Sequence, residues 1–257
     1  MRLARGIAAL ARSAPLVAVA ASAVLCACAG GLPKVPATPE AVLGRADDLH
    51  QRGKYTQAVA LYEAFVERYA GHDRADYAQY QLAACHFDLH DYALASVEYQ
   101  VVITNFGYSE WVDDALFQIG VCYWREAPKA ARDQQKSIDA LSRFSQFLQT
   151  YPESARAPEA RSYVRQINAR LAEKALTAAR WYARRHEYPA AIIYCDKIIE
   201  SYPENDGWVE ALYLKGTILL ARGENESAIA QFTRILEYPE DHPLKRQAQD
   251  KIRQARR

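Results

Sequence analysis

The chain has 257 residues, and its 32 lysines and arginines nearly balance its 31 aspartates and glutamates, which leaves a formal net charge of +1. A charge so close to neutral argues against nucleic acid as the partner, because proteins that bind nucleic acid usually carry a basic excess. The length is sufficient for a large folded body.

The first residues have the pattern of a secretion signal that ends at a lipid-modified cysteine. Three arginines and no acid precede an apolar stretch over residues 14–25, which is shorter than the roughly 20 residues of a membrane span. The stretch ends in the sequence LCAC, which resembles a lipobox. We predict a signal peptide over residues 1–27 and lipidation of Cys28. The alternatives are Cys26, which would have a bulky leucine at its −1 position, and an ordinary signal peptide with an incidental cysteine.

Two features after the cleavage site indicate where the mature chain is held. Residues 28–38 are rich in Gly and Pro, which disfavour a helix, so they are expected to form a lipidated tether. The residue after Cys28 is Ala29 and not the Asp that often keeps lipoproteins at the inner membrane. We therefore expect a protein anchored by its lipid at the periplasmic face of the outer membrane. Removal of the signal peptide would change its net charge to −2.

The remainder of the chain repeats a pattern of small and aromatic residues. An alanine recurs in five copies, and an aromatic residue follows four positions later in four of them. The pattern is similar to the tetratricopeptide repeat, in which small residues allow two helices to approach closely. We predict an all-α, tetratricopeptide-like solenoid over residues 39–257, with a C-terminal capping helix at 244–257. The five helix pairs are expected at about 39–70, 75–107, 111–152, 158–203 and 207–239.

Two insertions distinguish the third and fourth copies. In the third copy the small residue is Gly120, which lies 20 residues before Ala140, so about eight residues are inserted between the paired helices. Fourteen extra residues with helical spacing precede the fourth pair. That pair should therefore open with a long helix over about 158–185, with or without a kink.

Motifs that would indicate an enzyme or a cofactor are missing from the sequence, since it contains no GxxxxGK[ST], HExxH or GxSxG. We expect no catalytic residue, no cofactor and no metal. His86 and His90 could share a metal ion at their i, i+4 spacing, but packing at the core edge and in a turn is the interpretation we favour. Equivalent helices of neighbouring repeats pack about 8–10 Å apart, which is too far for a disulfide. Three cysteines are therefore expected to be apolar fillers: Cys85, Cys122 and Cys195.

The third and fourth pairs resemble the BamD family, the lipoprotein of the outer-membrane β-barrel assembly machine. The shared features are a loop inserted in the third pair, a helix with the pattern AxxxFxxFLxxYPxS, an RLAxx run and an aromatic turn. The resemblance implies a scaffold that binds the periplasmic domains of the barrel-forming subunit and other assembly lipoproteins. It also implies a role in receiving unfolded outer-membrane proteins by their C-terminal segments. These features lie at 127–135, 140–154, 170–174 and 182–190.

The resemblance implies that the C-terminal pairs hold the barrel-forming subunit. The candidate contact residues are Arg180, Arg184, Tyr194 and Lys215. Relatives often carry a basic residue where this chain has Tyr194, so a salt bridge from that position is not expected here. The runner-up interpretation is another cell-envelope scaffold of the same fold, such as a Tol-associated or cell-wall-linked lipoprotein, although those usually lack both insertions.

A second candidate surface is a peptide groove on the inner face of the second and third pairs. Fixed offsets from the small residue of each first helix place five aromatic side chains on that face. Aromatic side chains are common interface anchors, and a large exposed apolar patch usually marks a binding site. The alternative is that they pack against the tether or a neighbouring helix. The five residues are Tyr77, Tyr80, Phe87, Phe117 and Trp124.

Overall fold

Helices follow one another in pairs through the described part of the chain. The computed structural model describes residues 34–128, 133–203 and 205–256, so the predicted signal peptide and Cys28 lie outside the described residues. The paired helices contact each other, and α11 packs on α9 and α10. The prediction of five helix pairs and a C-terminal helix is confirmed. The helices are α1 (Pro39–Gln51), α2 (Tyr55–Arg68), α3 (Ala75–Asp88), α4 (Tyr92–Asn105), α5 (Val112–Glu126), α6 (Gln135–Thr150), α7 (Ala157–Arg184), α8 (Tyr188–Ser201), α9 (Asp206–Ala221), α10 (Asn225–Glu237) and α11 (Leu244–Ala255).

Close contact between small and large residues brings the two helices of a pair together. A Cβ atom added to Gly120 would lie 2.9 Å from the Phe144 ring, and one added to Gly216 would lie 2.7 Å from the Phe232 ring. Both rings are fully buried. In the third and fifth pairs, the small residue is therefore a steric requirement of close packing, as the sequence pattern indicated.

The turn inside four of the pairs uses the same backbone conformation. Gly53, His90, His186 and Gly223 each stand two residues before a second helix and have φ between 62° and 81°. A non-glycine residue in this region is strained unless local contacts support it. In both histidine turns, the ring Nδ1 lies 2.9 Å from the hydroxyl of the tyrosine two residues later. His90 thus occupies a turn, as expected.

The long helix α7 spans 28 residues without interruption and links two neighbouring pairs. Near its start, Tyr163 stacks on Phe144 of α6, with ring centroids 4.8 Å apart and an interplanar angle of 4°. Near its end, Tyr182 stacks on Tyr194 of α8, with ring centroids 5.5 Å apart. The extra 14 residues thus lengthen one helix so that it reaches from the third pair to the fourth.

Three cysteines and one histidine of the described residues are buried in the core of the array. Burial raises the pKa of the thiols of Cys85, Cys122 and Cys195 to about 12, and all three are free thiols in the structure. His86 is buried beside Cys85 in α3. In the described ranges, no three His, Cys, Asp or Glu side chains are grouped to hold a metal ion. No described helix combines the length and the apolar character needed to cross a membrane.

Candidate protein-binding surfaces

The sequence predicts an exposed aromatic groove from α3 and α5, and the structure contradicts this prediction for two of the five residues. Phe117 is only 1% exposed, and its ring packs between Phe144 of α6 and Tyr163 of α7. Tyr80 is 9% exposed, and its ring centroid lies 4.8 Å from that of Trp111. Both are core residues because helices of the same and the next pair cover them.

The other three aromatic residues are half-buried, and each has a partner nearby. The hydroxyl of Tyr77 donates to Asp47 of α1 at 3.1 Å, and Phe87 packs edge-on against Tyr92, with ring centroids 5.2 Å apart. The prediction of a groove lined by five exposed aromatic side chains is therefore wrong. Trp124, near the end of α5, differs from the others because one side of it lines a cleft.

That cleft lies between the C-terminal end of α5 and the N-terminal half of α7 and has a volume of about 480 Å³. Its most distinctive contact joins Arg170 to Trp124, with the guanidinium carbon 3.7 Å from the ring centroid. Such a cation–π contact holds the guanidinium close to the aromatic ring. The polar lining includes Arg125, Glu159, Ser162, Gln166 and Arg170.

The charges around the cleft leave it with a positive excess. Arg156 donates to Asp114 at 2.8 Å and to Glu159 at 3.2 Å, and the hydrogen bond to Asp114 raises the pKa of Arg156. The carboxylate of Glu159 is therefore already paired with Arg156. Arg125 and Arg170 have no ion-pair partner among the described residues, and burial lowers the pKa of Arg170. The α5/α7 cleft is thus suited to an anionic group.

Two of the three basic residues predicted to bind a partner protein form ion pairs within the chain. Arg180 of α7 donates to Glu210 of α9, and Lys215 of α9 donates to Asp196 of α8 at 2.5 Å. These bridges connect the fourth and fifth pairs. Arg184, at the end of α7, is exposed.

A cluster of aromatic rings lies where α7 meets α8, which we call the α7/α8 aromatic cluster (Trp181, Tyr182 and Tyr194). The rings of Trp181 and Tyr182 meet edge to face with centroids 4.8 Å apart, and Tyr182 stacks on Tyr194. Trp181 is 47% exposed. Tyr194 also lines a second cleft of about 360 Å³ between α6, α7 and α8, together with Ile138 and Lys197.

Of the three residues in the α7/α8 aromatic cluster, the sequence predicts only Tyr194 as a contact residue. Trp181 and Ile193 were missed, although Trp181 directly follows the charged residue Arg180 in the sequence. Ile193 is 67% exposed on α8. The exposure of Trp181 could have been predicted from its position near a helix end and next to a turn. The packing offsets of the repeat no longer apply there.

The fold defines the class of protein: a tetratricopeptide-like array of helix pairs that presents side-chain surfaces. A solved tetratricopeptide-repeat protein from Bacteroides fragilis has a similar fold, with a TM-score of 0.51 at 11% identity, and the match covers 86% of this chain and 99% of that one. The family model described as "YfiO: Outer membrane lipoprotein" matches residues 37–252. The chain therefore belongs to the YfiO/BamD family of outer membrane lipoproteins, and the resemblance found in the sequence is confirmed.

Curated relatives with the name outer membrane protein assembly factor BamD are similar to most of this chain. The protein from Pasteurella multocida is 25% identical over 214 residues, which cover 79% of this chain and 82% of that protein. The protein from Vibrio cholerae is 24% identical over 194 residues, covering 72% and 80%. The protein from Caulobacter vibrioides is 24% identical over 181 residues, covering 70% of this chain and 59% of that relative.

Proposed function

We propose that this protein is an outer-membrane-anchored periplasmic scaffold in the assembly and insertion of β-barrel outer-membrane proteins. The observation that carries the proposal is the match of the family model across the whole array of helix pairs, from residue 37 to residue 252. The names of the relatives point to the same process. Lipidation at Cys28 would hold the array close to the membrane, because the tether over residues 28–38 is short.

The partner proposed for the C-terminal pairs is the periplasmic part of the barrel-forming subunit. The α7/α8 aromatic cluster supports this choice, since partly exposed Trp and Tyr side chains are frequent anchors of protein interfaces. Arg184 adds an exposed basic group three residues after Trp181, and such a group favours fast association with an acidic surface more than it adds affinity. Arg180 and Lys215 form ion pairs within the chain, so their proposed contribution is to hold the fourth and fifth pairs together. Tyr194 would contribute by packing instead of by a salt bridge.

The α5/α7 cleft is the surface proposed to receive unfolded outer-membrane proteins. Trp124 is the member of the predicted aromatic groove that lines an open cleft of ligand size. Tyr77 and Phe87 could extend the contact toward α3 because they are half-buried. Tyr80 and Phe117 are excluded from this role by their burial.

Co-purification with matched variants tests the proposed partner. The tagged protein should be extracted from membranes of its own bacterium with mild detergent, and the proteins that come with it identified by mass spectrometry. The double variant Trp181→Ala/Tyr194→Ala should lose the barrel-forming subunit. The control is Leu89→Ala/Val97→Ala, which removes two exposed apolar side chains from the second pair and should retain it. Equal recovery with both variants would exclude the α7/α8 aromatic cluster as the contact.

A further inference from the structure

Arg170 combines two properties that few arginines in a folded protein share. Its guanidinium lies against Trp124 in the α5/α7 cleft, and its Nη1 atom is buried without a hydrogen-bond partner in the described structure. A buried cationic donor without an acceptor is destabilising, because the group has lost water and gained nothing of equal strength. Such a group in a cleft is a common sign of a binding site.

Among the described residues, two other buried side-chain polar atoms lack hydrogen-bond partners, but they differ from Arg170. Asn168 Oδ1 and Gln231 Oε1 are neutral acceptors, and neither residue lines the α5/α7 cleft. Leaving a neutral acceptor unpaired is less costly than leaving a charged donor unpaired. Of these three residues, Arg170 would therefore gain most from a bound acceptor. It is also the one whose side chain lines an open cleft.

The surroundings define the chemistry of the missing partner. Arg125 adds a second positive charge, and Gln166 and Ser162 add polar groups to the same wall. Among the described residues of the lining, Glu159 is the one acid, and Arg156 binds it. The N–H donors of a guanidinium form a planar fork, which matches the two oxygens of a carboxylate.

We propose that the α5/α7 cleft is a carboxylate-binding subsite, in which Arg170 donates to the carboxylate of an extended peptide segment while Trp124 supports the guanidinium. The inference rests on the proposed function as a scaffold for unfolded proteins and adds the charged group by which the ligand is recognised. The carboxylate is either the free C-terminus of the bound segment or the side chain of an Asp or Glu within it.

Peptide binding measured with the mature lipidated protein in detergent micelles tests the proposal and separates these two sources. The probe is a short peptide of alternating valine and threonine that ends in phenylalanine and carries a neutral dye at its N-terminus. It is used with a free C-terminus, with a C-terminal amide, and as an amide with one internal aspartate. Fluorescence anisotropy gives the affinity of each form.

The native protein should bind a carboxylate-bearing form about tenfold or more tightly than the plain amide, as expected for a hydrogen-bonded charged group. This preference should disappear in Arg170→Gln and be reduced in Arg170→Lys, which keeps the charge but loses the planar fork. The control Arg161→Gln removes an exposed arginine from the same helix and should leave the preference intact. A preference for the free C-terminus identifies that source, and a preference for the internal aspartate identifies the other.

Thermal unfolding distinguishes a binding role of Arg170 from a structural one. Because one guanidinium nitrogen of Arg170 is buried without a hydrogen-bond partner, Arg170→Gln should keep a melting temperature close to that of the native protein while losing the carboxylate preference. Equal binding of all three peptides to the native protein, no binding of any of them, or an unchanged preference in Arg170→Gln would overturn the proposal. None of these results would affect co-purification with the barrel-forming subunit, which tests the scaffold function separately.

Discussion

A single substitution, glycine to alanine, is expected to have opposite effects at two helical positions of this chain. At Gly216 in α9, the added Cβ would lie 2.7 Å from the Phe232 ring, whereas at Gly44 in α1 it would have no atom within 4 Å apart from its chain neighbours and the nearby helix backbone. Carbon atoms in good contact are about 3.5–4.0 Å apart. The buried ring of Phe232 would therefore have to move by about 1 Å in a close-packed core.

The expected magnitudes follow from two opposing contributions. Alanine stabilises a helix interior by about 1 kcal/mol relative to glycine, and this gain applies at both positions. Overpacking a core costs about 1–3 kcal/mol, and this cost applies only at Gly216. We expect Gly44→Ala to raise the free energy of unfolding by up to about 1 kcal/mol. Gly216→Ala should lower it by about 1 kcal/mol, so the two variants should differ by about 2 kcal/mol.

Urea unfolding followed by far-UV circular dichroism measures both values, and an unchanged slope of free energy against urea would assign the effect to stability. Combining Gly216→Ala with Phe232→Leu provides the internal check. The smaller side chain should relieve the clash, so the alanine should become neutral or stabilising in that background. If Gly216→Ala stabilises the native protein as much as Gly44→Ala does, the close contact between α9 and α10 is refuted.

Two further predictions concern the cysteines. The mature protein should begin at lipidated Cys28, which mass spectrometry of the N-terminal peptide would detect, and Cys28→Ser should give an unprocessed or soluble product; an unmodified Cys28 would contradict the anchor. Because burial raises the pKa of the three remaining thiols to about 12, iodoacetamide at pH 8 should label none of them in the folded protein and all of them after denaturation without reductant. Labelling of a single thiol in the denatured, unreduced chain would instead reveal a disulfide. These thiols belong to Cys85, Cys122 and Cys195.

The features that could be predicted from the sequence are those set by local periodicity. The spacing of Gly216 and Phe232 reports a contact between adjacent helices of one pair, so counting along the chain was sufficient to find it. The length of α7 also followed from helical spacing over the 14 extra residues. In both cases the determining contacts lie within one pair or between neighbouring elements.

The exposure of the aromatic side chains could not be predicted in the same way. The offsets that placed Phe117 on the inner face describe one helix, but its burial depends on α6 and on Tyr163 of α7, which belongs to the next pair. The unpaired state of Arg170 likewise depends on which acids lie near it in three dimensions. Glu159 is close in sequence and lines the same cleft, yet Arg156 holds it.

The central proposal, that the C-terminal pairs hold the barrel-forming subunit, is tested most directly by site-specific photocrosslinking in living cells. Ile193 and Val97 offer a matched pair of positions, because each lies two residues after the recurring alanine and is well exposed, at 67% and 56%. A photoreactive residue at position 193 should trap the barrel-forming subunit, and the same residue at position 97 should not. Adducts with that subunit at position 97 alone, or at neither position, would contradict the account.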